Sequence, residues 1–438
     1  MPEETALTNM AEGEEGGKTG RYLVLFSDDA PPDAIEKMTK AAGMRMAHAV
    51  EFAEMGVNVK GVLKEADVLY LDELHLAIMQ APPSQVDFLS VSAAAARAVV
   101  AVEPERFVFA LQDMQSEYLR GYRDATANLY ERLSQAPGTQ PDVVEALRTP
   151  RWSDTATLTW GLAATRANRS RFTGAAVKVA VLDTGLDFNH PDFAGRSLTQ
   201  ASFVPGETPQ DGAGHGTHCI GTSCGAASPA GTRRRYGISS GASVFVGKVL
   251  SNGGSGTDGG ILAGIDWAVR NTCRVVSMSL GRKALPGEPF STVYETAARR
   301  ALDRGTLIVA AAGNDSNRPS VISPVGHPAN CPSIMAVAAV DNFGEVAFFS
   351  NRGGSAAGGQ VDIAGPGVSV YSSWPLPRRY NTISGTSMAT PHVAGIAAQY
   401  VEENAAISAR DLWALLQRRA LRLPAPAVDV GVGLVQSV

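Results

Sequence analysis

An α/β domain built on a parallel sheet, with a small α+β domain ahead of it, is the architecture this sequence predicts. Two observations carry the larger domain. Five short apolar runs recur at residues 177–182, 244–250, 275–280, 307–312 and 334–340. They are nearly continuous rather than alternating, which suits parallel strands buried on both faces. Stretches of helical composition separate or follow them, at 215–224, 258–269, 291–302, 388–401 and 409–420. Such alternation gives a sheet with helices on both faces. A third observation, a change of rhythm before residue 151, sets off the smaller domain.

That N-terminal region divides into three. Residues 1–20 are acidic and Gly-rich with no apolar segment and read as a disordered tail. Residues 21–111 hold a strand at 21–27, a helix at 31–42 opened by prolines, a strand pair at 66–80, a second helix at 83–96 and a strand at 99–111. A βαββαβ order of this length is a compact α+β module. His48 and His75 stand alone in it and read as surface or core histidines. Residues 112–135 have helical composition, and 136–150 carry three prolines, so 112–150 reads as a connector and linker. An exposed connector is where nicking concentrates. Residues 151–438 form the large domain.

Composition narrows the chemistry. With 438 residues, 45% hydrophobic, 18% charged and a net charge of −5, the chain is that of a soluble globular protein. It lacks the basic field that nucleic acid demands. Its apolar runs are broken well short of a membrane span. The N-terminus is neither a secretory signal nor a transit peptide, so a cytoplasmic protein as synthesised is expected, with leaderless export left open. Cys219, Cys224, Cys273 and Cys331 show no paired metal spacing and read as reduced thiols. No organic cofactor is expected, and a monomer is.

Four residues fall where a parallel sheet places working groups, beyond the carboxyl ends of its strands. Asp183 follows an apolar run directly; alone, such an Asp is more often a helix cap or a ribose ligand. His215 lies among glycines in Asp211-Gly212-Ala213-Gly214-His215-Gly216-Thr217-His218. The His215/His218 pair could suit a metal, but no third ligand accompanies it. Asn314 follows the run 307–312. Ser387 precedes the long apolar run of residues 388–401, at a helix start where free N–H groups and the dipole favour an anion. His392, further along that helix, reads as structural. Together, Asp, His, Asn and Ser are the parts of an acyl-transfer site, in which Asp orients His, His takes the Ser proton, and Asn with the Ser387 N–H binds the oxyanion.

The motifs AVLDTGLDFNHPDF, GHGTHCIGT, SLG, AAGND and GTSMATPHVAG resemble the full set of the subtilisin-like (subtilase) serine proteases, nearest the subtilisin and proteinase K branches, over roughly residues 160–401. The resemblance implies Asp183, His215 and Ser387 as charge-relay triad, with Asn314 and the Ser387 N–H as oxyanion hole. It implies that Gly254-Ser255-Gly256 and Ser279-Leu280-Gly281 pair with polypeptide substrates as edge strands, a mode in which the main chain gives affinity and side-chain pockets add selectivity. The loose glycines of 251–260 fit a phosphate cradle poorly. Ala312, Gly313 and Gly326 match the S1 pocket wall, and a glycine there leaves depth for large apolar or aromatic P1 residues. Residues 21–111 are similar to the family's inhibitor-type propeptide, an intramolecular chaperone whose last strand occupies the cleft, so self-cleavage is expected between residues 111 and 152. Cys219 is similar to a buried, non-catalytic thiol of the proteinase K branch. The family's tight calcium loop corresponds to residues 225–237, where no carboxylate is present. A second calcium site is matched by Asp362 with the carbonyls of Pro332 and Ile334; one carboxylate with carbonyls and water suffices for Ca²⁺. An inert binding protein on the same fold is the alternative, disfavoured by the complete triad.

Overall fold

The structure is a computed structural model that describes residues 17–30, 32–52, 56–80, 82, 98–111, 150–284, 287–354 and 358–438. The helix expected at 83–96, the connector before residue 150 and the first sixteen residues lie outside these.

The N-terminal unit contains β1 (Lys18–Phe26), α1 (Pro32–Ala41), β2 (Met46–His48), β3 (Val68–Leu71), β4 (Leu76–Met79) and β5 (Val99–Ala110). Its strands lie in the order β5-β1-β4-β3-β2, antiparallel except for the β2–β3 pair. Strand β1 begins at Lys18, inside the span assigned to the tail, because Lys18 pairs with Arg106 and the Thr19 hydroxyl bonds the buried Glu105. The strand β2, too short to show a period, was not foreseen. Alternation along β1, β3 and β4 sorts side chains onto two faces. Val24, Phe26, Val68 and Tyr70 pack with Ile35 of α1. Leu23, Leu25, Leu69, Leu71, Leu76 and Ile78 point the other way and join the core of the large domain. A sheet buried on both faces therefore binds the unit to its neighbour.

In the large domain a seven-stranded sheet is parallel throughout, in the order β14-β13-β12-β10-β6-β8-β7. Its strands are β6 (Lys178–Asp183), β7 (Leu198–Ser202), β8 (Ser243–Lys248), β10 (Val275–Met278), β12 (Leu307–Ala311), β13 (Met335–Val340) and β14 (Ile363–Pro366). The five apolar runs supply the middle of it. The helices are α2 (His215–Cys224), α3 (Asp258–Arg270), α4 (Thr292–Asp303), α5 (Thr386–Glu403) and α6 (Ala409–Arg419). Helix α5, buried from Thr386 to Val401, lies across β10, β12, β13 and β14 with α2 beside it. Helices α3 and α4 pack between this sheet and the N-terminal one. The apolar run at 275–280 does not stay in one strand. After β10 the chain leaves the sheet at Ser279, and Leu280–Gly281 form β11, which pairs with β5. Strand β9 (Ser255–Thr257) pairs with β5 from the other side, and β15 (Val370–Ser373) with β16 (Tyr380–Ile383) makes a separate hairpin ahead of α5. Among the described residues, no helix is long and apolar enough to cross a membrane.

Candidate active site

Strand β6 ends on Asp183, whose Oδ1 accepts from its neighbour's amide (Thr184 N, 2.7 Å) and from His215 Nδ1 (2.8 Å). That contact assigns the histidine tautomer. A carboxylate only accepts, so Nδ1 carries a proton, and in the neutral ring Nε2 offers a lone pair. His215 Nε2 is buried with no hydrogen-bond partner among the described residues. Burial alone would push the imidazole pKa down, but the Asp183 carboxylate, together with Cys219, outweighs it and holds His215 well above 6.5.

Residues behind this pair, missed from the sequence, fix the histidine backbone. Asp211 accepts from Thr184 Oγ1, from the amides of Ala213, Gly214 and Thr217, and from Thr217 Oγ1, at 2.7–2.9 Å. It thus satisfies the Gly214 and Thr217 N–H groups at the start of α2, while Gly216 N donates to Thr184 Oγ1. Its signal was legible: an acidic residue ahead of a glycine turn at a helix start. Gly214, at φ +102, is held against the Trp374 indole, which would occupy the space of a Cβ. His218 faces away from Asp183; its Nε2 donates to the Val370 carbonyl, and burial pushes its pKa down to about 3. His392 donates from Nδ1 to Met388 O inside α5. All four cysteines are free and buried, and the Cys219 Sγ lies 3.6 Å from the Ser387 carbonyl oxygen.

Ser387 is the second residue of α5, after the Gly385 cap and Thr386. A side chain at Gly385 would meet the Leu111 carbonyl oxygen at 3.0 Å and Asn314 Nδ2 at 3.1 Å. Asn314 has one possible orientation. Its Oδ1 accepts from Thr386 N (2.9 Å) and Thr386 Oγ1 (2.8 Å), so Nδ2 faces the cleft and donates to Leu111 O at 2.7 Å. The Ser387 hydroxyl donates to the same oxygen at 2.6 Å and lies 3.1 Å from Ser279 O. The Ser387 amide, named from the resemblance as the second oxyanion donor, makes no hydrogen bond to Leu111 here; the hydroxyl holds that place.

Leu111 closes a segment that threads the cleft as a middle strand. Phe107, Val108 and Phe109 pair with Thr257, Gly256 and Ser255, while Phe109 and Ala110 pair with Gly281 and Leu280. Ala110 N donates to Gly254 O (2.8 Å) and Leu111 N to Ser279 O (3.3 Å). Both edge segments named from the sequence therefore hold this one. A Cβ at Gly281 would meet His327 O at 2.5 Å and Leu111 Cδ1 at 3.3 Å, so the glycine is what lets the Leu111 side chain lie this close. Gly326 is crowded instead by Arg282 O and bonds to Ala312 O, and Gly313 N donates to Thr386 Oγ1.

The N-terminal unit is gripped at three further places. Arg300 of α4, buried, donates to the carbonyls of Phe26 and Leu74 and pairs with Asp28. Asp266 of α3 accepts from the amides of Glu73 and Leu74. Glu105 and Glu103 accept from Gly259 N and Val293 N, at the N-terminal turns of α3 and α4, where the helix dipole favours a carboxylate.

Asp362 lies at the start of β14, its Oδ2 accepting from Ala336 N and its own amide bonding Ala336 O. Burial pushes its carboxyl up to about 7, and among the described residues no cationic side chain forms an ion pair with it. Ile334 lies two residues from Ala336, just before β13.

Residues 174–434 match the family model described as "Subtilase family". Among characterised proteins, the chain is 44% identical over 229 residues to Subtilisin amylosacchariticus of Bacillus subtilis subsp. amylosacchariticus, covering 52% of this chain and 56% of that one. It is 37% identical over 271 residues to Subtilisin DY of Bacillus licheniformis, covering 61% and 93% respectively. The match thus spans little more than half the length of the first relative. Among solved structures, Sphericase superposes with a TM-score of 0.56 at 34% identity, over 63% of this chain and 97% of that one. A cold adapted subtilisin-like serine proteinase gives 0.53 at 33% identity, over 65% and 96%.

Proposed function

This chain belongs to the subtilase family, and from that premise we propose that it is a serine endopeptidase made as a zymogen, which cuts itself at the bond after Leu111. One observation carries the reading. The Leu111 carbonyl oxygen is bonded by both Asn314 Nδ2 and Ser387 Oγ, and the four residues before it lie paired between β9 and β11. A chain held in this way is a bound substrate at its reacting carbonyl.

The chemistry follows from the groups in place. The Ser387 hydroxyl, here bonded to Leu111 O, turns to the unpartnered Nε2 of His215, passes its proton there and attacks the Leu111 carbonyl carbon. Asp183 holds the resulting imidazolium, and the charge on oxygen falls to Asn314. His215 then protonates the leaving amine, and water releases the acyl group. After the cut, the grip of Arg300, Asp266 and the two capping glutamates favours a retained, inhibiting N-terminal unit. Leu111 itself, with its Cδ1 against Gly281, supports large apolar residues at P1. Asp362 fits a Ca²⁺ ligand, since a buried carboxylate with no cationic partner among the described residues gains from a cation, and the family resemblance implies the carbonyls of Pro332 and Ile334 as further donors.

Labelling by a fluorophosphonate tests the nucleophile: Ser387 should be tagged in the wild type and nothing in Ser387→Ala. Ser387→Ala should run at full length, whereas the wild type should give a product whose N-terminus reads Gln-Asp-Met. An intact, active wild type would sink the zymogen reading. Peptides varied at P1 test the pocket, and a strict Arg or Asp preference would overturn it.

A further inference from the structure

The acyl half of a substrate is accounted for by β9 and β11; the structure also assigns a surface to the other half. We propose that Trp374, backed by Leu376, is the wall against which the first two residues on the leaving side of the scissile bond pack, making peptides with a large apolar residue there the preferred substrates. The inference rests on the peptidase reading above.

The indole of Trp374 covers the face of Gly214, the residue immediately before His215, at the distance where a Cβ would collide with Cζ2. Its ring meets the His218 ring edge-on, with centroids 6.3 Å apart. Trp374 is nevertheless only half-buried, and Leu376 is 41% exposed. Trp374 and Leu376, two positions apart, thus leave an apolar surface open to solvent next to the residue that precedes His215.

Position supplies the occupant. The segment ending at Leu111 fills the space between β9 and β11, so a continuing chain must leave on the far side of Ser387. The start of α2 carries His215, and the β15–β16 hairpin packs on α2 and leads into α5, which carries Ser387. His215 must reach the leaving amine, so the residues carrying that amine pass beside Gly214, and hence beside Trp374.

The wall is also rigid. Ser372 and Ser373 donate to the carbonyls of His218 and Thr217, clamping the hairpin to α2. Trp374 N bonds Arg379 O across the loop, and Leu376 N donates to Asp187 Oδ2 at 2.9 Å. A side chain held in this way loses little freedom on contact, so its burial translates into selectivity.

The test is partition of the acyl-enzyme. The matured protein is given a Val-Phe-Ala-Leu methyl ester, and added dipeptide amides compete with water for the acyl group. Capture reads the leaving-side surface alone, because the acyl half is common to every reaction. An amide with Phe at its first or second position should be captured about tenfold better than glycylglycinamide. Trp374→Ala should erase most of that preference, and Trp374→Phe should keep it. Equal capture of all amides by the wild type overturns the proposal even if Trp374→Ala fails to fold. So does an undiminished preference in Trp374→Ala. Absence of any acyl-enzyme burst overturns the peptidase reading beneath it.

Discussion

Replacing Asn314 with leucine keeps the volume of the side chain and removes its amide. The donor lost is the 2.7 Å bond from Nδ2 to the Leu111 carbonyl oxygen. Its direction is fixed in advance by two bonds from Thr386 to Oδ1, at 2.8 and 2.9 Å, so no reorganisation is needed as charge builds on that oxygen. Loss of one such donor in subtilisin is worth about 10²–10³ in turnover, or ~2.7–4 kcal/mol, and that magnitude is carried over here. Self-cleavage is the cleanest assay, since the substrate segment is already bound and the reaction is a single turnover. Its rate, followed as loss of the full-length band, should fall by that factor in Asn314→Leu. Thr386→Val removes the hydroxyl bond that aims the amide and should cost about tenfold. Because threonine acts through asparagine, the double variant should be little slower than Asn314→Leu alone, a coupling that a double-mutant cycle measures directly. If Asn314→Leu matures within tenfold of the wild type, the oxyanion assignment is wrong. If the two losses multiply, Thr386 acts on its own.

In the proposed mechanism self-cleavage needs His215 as a base, and its pKa is raised. The rate should therefore be lost as pH falls, with a midpoint above 6.5; a midpoint below 6 would show that Asp183 does not dominate. The sign for stability is opposite: the His215–Asp183 pair contributes most below 6.5 and loses its contribution as pH rises through the raised value. Arg300→Ala strips the guanidinium from the carbonyls of Phe26 and Leu74. The cleaved N-terminal unit should then dissociate at least about tenfold faster, read as a shortened lag before activity, given ~2–5 kcal/mol for truncating a buried hydrogen-bonded charge. Calcium should raise the melting temperature of the wild type and leave Asp362→Asn unmoved, whereas a melting temperature indifferent to EGTA would remove the metal from the account.

Much of the fold could be read directly from the chain because burial leaves a local trace. Parallel strands covered on both faces become unbroken apolar runs, and all five such runs supply strands of the central sheet, the one at 275–280 only as far as Met278. The edge strands β7 and β14 escaped notice for the same reason. β7 is half exposed and polar. β14 is Ile-Ala-Gly-Pro, its glycine set by the Ala389 backbone, whose oxygen a Cβ would meet at 2.6 Å.

By itself the sequence determined which residue types stand at strand ends and helix starts: Asp183, His215, Asn314 and Ser387. Each assignment depends only on neighbours a few positions away. Tertiary structure decided what those residues face. Leu111 is 276 positions from Ser387, and its seat depends on the register of β5 between two strands drawn from separate loops. The departure of the chain at Ser279, the rotation of Asn314 by Thr386, and the placing of Trp374 over Gly214 are likewise contacts between distant segments. Such contacts leave no periodicity in a sequence, because they follow from how finished elements pack rather than from how each one forms.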